Sequence, residues 1–259
     1  MPRLGESARA GLAPAAKLAV DIAGWTVGGT LAGVAWARGG RPVHPHGAVY
    51  RARLVVEGAP DAPAASWLLA TEAEHAALVR FSRSLGLPRP LPDLLGLSLR
   101  VVGAYGEGRH QDFLVVTSVD APVLHHLFVP AGDFQRRVYS SSLPYRAGDS
   151  TFIVGAVPDP RSPRPAGDDE LDRLARAAAT GDLAFGLAVA RVGGRFRRVA
   201  TILVGERLAD DTLRFNPFNC GGGLRPAGTI NRLRDYAYPL SQRTRRGDSR
   251  DPGVGVARA

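Results

Sequence analysis

The pair Gly193-Gly194 constrains this chain more than any other feature, because it joins two long apolar runs, 183–192 and 195–204, through a tight two-glycine turn. Such a turn matches the twist of paired strands and closes antiparallel hairpins. Other stretches read the same way. Residues 48–57 alternate apolar and polar side chains with period two, and 96–104 and 111–118 are joined by Tyr105-Gly106-Glu107-Gly108. Residues 150–157 form a further apolar run, and 66–70 and 212–215 are shorter ones. At least seven strands follow, mostly antiparallel by the length of their connections. So many strands expose unpaired edges unless the sheet closes on itself, so an antiparallel β-barrel is the expected architecture.

Helices flank it in this reading, giving an α+β class. Thr71 is an N-cap type followed by Glu72 and Glu74, which predicts a helix over 71–82. Residues 169–180 carry acidic groups at their start, as the helix dipole favours, and predict a second. The small, apolar stretch 13–37 predicts an N-terminal helix packed on the protein or on a partner. Arg3, Arg9 and Lys17 before an apolar run and Ala35-Trp36-Ala37 after it have the shape of an export signal, whereas Asp21 and Gly28-Gly29 oppose both that and a membrane span. A cytoplasmic chain is expected, with membrane association or export as the alternative. Residues 1–12 read as a flexible tail, 13–246 as one domain and 247–259 as a disordered tail.

Of the 33 basic residues all but Lys17 are arginine, and the net charge is +9. The arginines are scattered and not interleaved with aromatic rings, so the excess suits carboxylate or phosphate partners and no nucleic acid is expected. Cys220 is the single cysteine, which excludes an intrachain disulfide and a cysteine metal cage. His125 and His126 are adjacent, but no third ligand stands at metal-site spacing, and packing or surface roles are expected. Gly221, Gly222 and Gly223 lack the lysine and helix spacing of a phosphate loop.

The densest polar pattern is 231–246. On a helix, Arg234 and Tyr238 stand one turn apart, and Ser241, Gln242 and Arg245 continue the same face. A guanidinium beside a phenol favours the phenolate, a strong donor to ferric iron. A solvated helix face with a packed tyrosine ring is the plainer alternative, and Pro239 kinks such a helix.

The order Arg234, three residues, Tyr238-Pro239, one residue, Ser241-Gln242-Arg243, one residue, Arg245 resembles the proximal haem-ligand helix of the catalase family. Four upstream motifs fall in the family's order: Arg41, two residues, His44, then Gly47; Arg80-Phe81-Ser82; Asp93-Leu94-Leu95-Gly96, three residues, Arg100; and Phe215-Asn216-Pro217-Phe218 followed by Gly223-Leu224-Arg225-Pro226. The resemblance implies a catalase-type barrel and haem b ligated by Tyr238 with Arg234 as its partner. It makes His44 the distal acid-base, Ser82 the residue bonding its far nitrogen, and Arg41, Arg80 and Arg245 partners of the haem carboxylates. Phe128 is the ring expected to stack over the haem. Where the family has a distal asparagine this chain has Thr117, whose hydroxyl donates one hydrogen bond and does not reproduce the amide's placement.

The length suits the compact catalase-like proteins, so a peroxidase acting on hydrogen peroxide or organic hydroperoxides is expected. A haem-binding protein for storage or sensing is the alternative, and a barrel binding an apolar ligand without metal is a third. Homo-oligomer formation stays open.

Overall fold

The computed structural model describes residues 46–191, 193–209 and 213–227. The strands are β1 (His46–Val56), β2 (Ala73–Arg83), β3 (Leu95–Val101), β4 (Gln111–Thr117), β5 (Tyr139–Ser140), β6 (Tyr145–Ala147), β7 (Ser150–Pro158), β8 (Ala184–Arg191), β9 (Arg197–Arg207) and β10 (Leu224–Pro226). Two helices interrupt them, α1 (Trp67–Ala70) and α2 (Glu170–Ala179). All the strands join one sheet, in the order β10-β6-β7-β5-β4-β3-β2-β1-β9-β8, and β8 pairs back with β7. That last pairing closes eight strands, β7, β5, β4, β3, β2, β1, β9 and β8, into an antiparallel barrel and removes the free edges the sequence made a liability. β6 and β10 extend the sheet beside β7.

Period-two alternation sorts each wall strand into an inner and an outer set. Tyr50, Ala52, Leu54 and Val56 of β1 face inward with Ala77, Val79 and Phe81 of β2, Leu95, Leu97 and Leu99 of β3, and Phe113 and Val115 of β4. Rings fill the interior: Phe81 lies 5.9 Å from Tyr50, 5.4 Å from Phe134 and 5.3 Å from Phe185, centroid to centroid. The barrel is thus a packed core, and a ligand site belongs on its outside.

Three expectations are corrected. The stretch expected as a helix, 71–82, is strand β2, in unbroken register with β1 from His46↔Arg83 to Val56↔Ala73. Its Glu and Ala residues favour helix weakly, but pairing on both edges with β1 and β3 outweighs that preference. The run 66–70, expected as a strand, turns into α1, and Leu68 and Leu69 bury against the core. Residues 213–215 of the expected strand 212–215 pair with no strand and are held by the Arg100 side chain. Helix 169–180 and the 193–194 hairpin stand as expected, with Asp169 capping α2 through the N–H groups of Leu171 and Asp172. The helix expected over 13–37, the C-terminal ligand helix and both tails lie outside the described residues. Among the described residues no helix is long and apolar enough to cross a membrane.

Candidate functional site

β1 to β4 are consecutive antiparallel neighbours, so their outer faces line up in rows across the wall. One row runs Gly47, Ser82, Gly96, Val116. The next runs Val49, Arg80, Ser98, Leu114, and a third runs Arg51, Leu78, Arg100, Asp112. In the first row two glycines flank one serine, which leaves a side-chain-poor, flat floor over three strands. Gly47 is required there: a Cβ on it would stand 2.6 Å from the carbonyl oxygen of Phe81 and 2.9 Å from Nη2 of Arg80. The Arg80 guanidinium therefore lies over Gly47, so the cation and the floor belong to one surface.

This outer face is covered at one end and wet at the other. Val49 and Ser82 are each only 1% exposed although neither belongs to the barrel's inner core, while Arg51 and Arg53 farther along β1 are in solvent. A surface that is apolar, shielded and studded with one arginine and two serines can hold a flat apolar group bearing anionic substituents. Ser98, beside Arg80, was not singled out from sequence; its partner in the row becomes visible only once the register of β2 and β3 is known.

The expected site residues distribute as follows. Arg80 and Ser82 fall on this face, in adjacent rows. Phe128 pairs with Ser118 in an isolated bridge, one row beyond Val116, and is half-buried. Thr117 has the alternation of the inner set, and its hydroxyl is committed: Oγ1 donates to the Val129 carbonyl at 2.7 Å and accepts the Leu95 N–H at 3.2 Å. It is a wall-locking group whose one donor is spent inside the wall. His44, Arg41, Arg234, Tyr238 and Arg245 lie outside the described residues. The chain enters β1 at His46, next to the row of Gly47 and Ser82.

Two buried ion clusters fix the surroundings. Asp112, fully buried at the end of the third row, takes Nε and Nη2 of Arg100 at 2.8 and 2.7 Å, the Asn216 N–H at 2.7 Å and Nδ2 of Asn219 at 3.0 Å. Arg100 also donates to the Arg214 carbonyl at 2.6 Å and stands 5.2 Å over the Phe215 ring. Residues 214–219 are thereby clasped onto the outside of β3 and β4, on the face that carries the candidate site. In the second cluster Arg83 donates to Glu170 at 2.8 Å and to the carbonyls of Leu87 and Leu91, with Asp93 at 3.4 Å. Asp93 in turn accepts the N–H groups of Leu85 and Leu87, so the Asp93 of the sequence motif shapes a loop. The glycines 221 and 222 make room for the Tyr105 ring, and burial pushes that phenol's pKa well up.

His125 and His126 serve as packing groups. The His125 ring is buried, with Nδ1 3.3 Å from the Val119 carbonyl oxygen and Nε2 3.0 Å from that of Gly194. His126 meets the Ser142 carbonyl oxygen at 2.6 Å. Among the described residues no three His, Cys, Asp or Glu side chains are gathered to hold a metal.

No family model matches the chain, and no curated protein does. Solved structures do. A fungal catalase superposes with a TM-score of 0.62 at 13% identity, covering 82% of this chain and 61% of that one. A bacterial catalase gives 0.60 at 14%, covering 82% and 59%. The fold is therefore catalase-like, and the chain spans about three fifths of the length of these catalases.

Proposed function

We propose that this chain is a catalase-type haem protein that processes hydrogen peroxide or an organic hydroperoxide, with the cofactor against the outer face of β1–β4. The observation that carries the proposal is the Gly47–Ser82–Gly96 row with Arg80 beside it, in a fold shared with solved catalases. A porphyrin is rigid and flat, and a floor without bulky side chains lets it approach the backbone. Arg80 places a cation where a propionate can pair with it.

The chain's residues divide the work. Arg41, Arg80 and Arg245 neutralise haem carboxylates. Tyr238 would hold the iron as a phenolate, and Arg234 would favour that ionised form. His44 takes a proton from one peroxide oxygen and returns it to the other, while Ser82 holds its far nitrogen and fixes the tautomer. Phe128 packs against the ring. The bound ferric haem supplies the redox centre for cleaving the oxygen–oxygen bond.

A second reading, a haem-binding protein for storage or sensing, has a specific observation in its favour. The residue in the place of the family's asparagine, Thr117, spends its hydroxyl inside the wall and has no donor for a peroxide.

Titration of the purified chain with haem tests the first reading, followed by its absorption spectrum and peroxide consumption. A one-to-one Soret complex is expected, weakened by Gly96→Val, which raises a bulky side chain from the floor, and by Arg80→Leu. Tyr238→Phe should lose haem or change the ferric spectrum, and His44→Ala should keep haem and lose turnover. Haem retention without consumption of either peroxide class selects the storage or sensing reading; no Soret complex at all overturns both.

A further inference from the structure

The loop after β4, which ends at Phe128, and the β8–β9 hairpin meet in a single protrusion. Within the loop Val123, Leu124 and Leu127 are 62%, 43% and 40% exposed, an unusual concentration of bare aliphatic side chains. Val123 has φ 70 and ψ −32, a conformation that β-branched residues rarely adopt. The chain holds this strained geometry and turns the valine outward; strain of this kind gathers at functional positions.

The loop is braced from beneath. The His125 ring faces the Gly194 carbonyl and packs 4.3 Å from the Phe196 ring, and Val123 Cγ2 stands 4.0 Å from the Cβ position of Gly193. Both flanks of that hairpin are basic. Arg191, Arg195 and Arg197 are exposed, and their guanidinium groups make no ion pair or hydrogen bond among the described residues. Across 118–128 and 189–198 the one carboxylate is Asp120, exposed at the base of the loop.

We propose that this protrusion is a docking tip for an anionic lipid surface. An aliphatic tip inserts at the boundary between headgroups and acyl chains, and arginines behind it pair with lipid phosphate and serine headgroups. The charge complementarity selects this occupant: a second copy of the chain would bring the same arginines face to face, and nucleic acid would leave the aliphatic side chains unburied. The inference does not depend on the haem.

Sedimentation of the full chain with vesicles tests it, comparing phosphatidylcholine alone with the same lipid containing about a third phosphatidylserine. The chain is expected to favour the anionic vesicles by on the order of a hundredfold, the effect of three surface arginines, and to be released by salt. The triple variant Val123→Ser, Leu124→Ser, Leu127→Ser and the triple variant Arg191→Glu, Arg195→Glu, Arg197→Glu should each lose that binding while keeping the parent's circular dichroism and melting. Binding that both variants retain would place the contact elsewhere, in 13–37 for instance, and overturns the proposal. Absent or charge-indifferent binding overturns it as well, and so does a dimer that the aliphatic variant dissolves.

Discussion

At the scale of single residues, the buried charges Arg83, Asp93, Asp112 and Glu170 are each answered by a partner. Arg83 and Asp93 are buried among apolar side chains, and Glu170 joins them from α2, so that one guanidinium ties β2, the loop after it and a distant helix together. Burial by itself would raise the Glu170 carboxyl. The hydrogen bond from Arg83, its own backbone N–H and the charges of Arg83 and Arg89 outweigh that and hold it below its ordinary value of 4.5. The consequence for stability has a definite sign. In the unfolded chain Glu170 takes up its proton first as the solution is acidified, so the contribution present above 4.5 is lost as pH falls through the lower folded value. Melting temperatures taken from about pH 6 to about pH 3 should therefore decline, and Glu170→Gln should flatten the acid part of the curve. Equal slopes for the two proteins would remove Glu170 from the account.

The elements show where sequence reasoning succeeded and where it stopped. A period-two pattern located β1, which has one face in the core, the Tyr105–Gly108 connection located β3 and β4, an apolar run located β7, and the two-glycine turn located β8 and β9. β2 was hidden by its residues. Thr71-Glu72-Ala73-Glu74 has the chemistry of a helix start, and nothing local reveals that β1 and β3 will claim both edges of the following strand. Arg80 and Ser82 were singled out through a motif, yet their common face is a property of strand geometry, which places residues two apart on one side. Gly96 and Ser98 joined them only through register.

The clasp of Asp112 on 214–219 belongs to this scale as well. Asp112→Ala would leave Arg100 largely buried without its counter-charge and release that segment, at a cost of about 3 kcal/mol. Chemical denaturation measures the loss, and limited proteolysis should find new cuts between β9 and β10. An unchanged transition midpoint would count against the clasp.

Considered whole, the barrel derives its cohesion from rings that bridge opposite walls. Phe81 of β2 touches Tyr50 of the neighbouring strand, Phe134 of a loop and Phe185 of β8. Phe81→Ala should cost about 3–5 kcal/mol and loosen every wall together; calorimetry should still show one transition, and a pair of separate transitions would contradict a shared core. The candidate haem face lies on the reverse of this wall. Four of the nine residues expected for it, Arg80, Ser82, Thr117 and Phe128, are on described strands and loops, and two of the four, Arg80 and Ser82, share the outer face. The engagement of the Thr117 hydroxyl was not legible in the sequence because its partners, Leu95 and Val129, are contributed by other strands and loops.

The order of pairings has one more outcome, in time. β1 to β4 zip together as successive neighbours, whereas β1 must wait for β9, made late in synthesis, before the cylinder shuts. Contacts between near neighbours form quickly and distant ones slowly. A nascent chain would thus display the glycine floor of its outer face while its ring-lined side is still open.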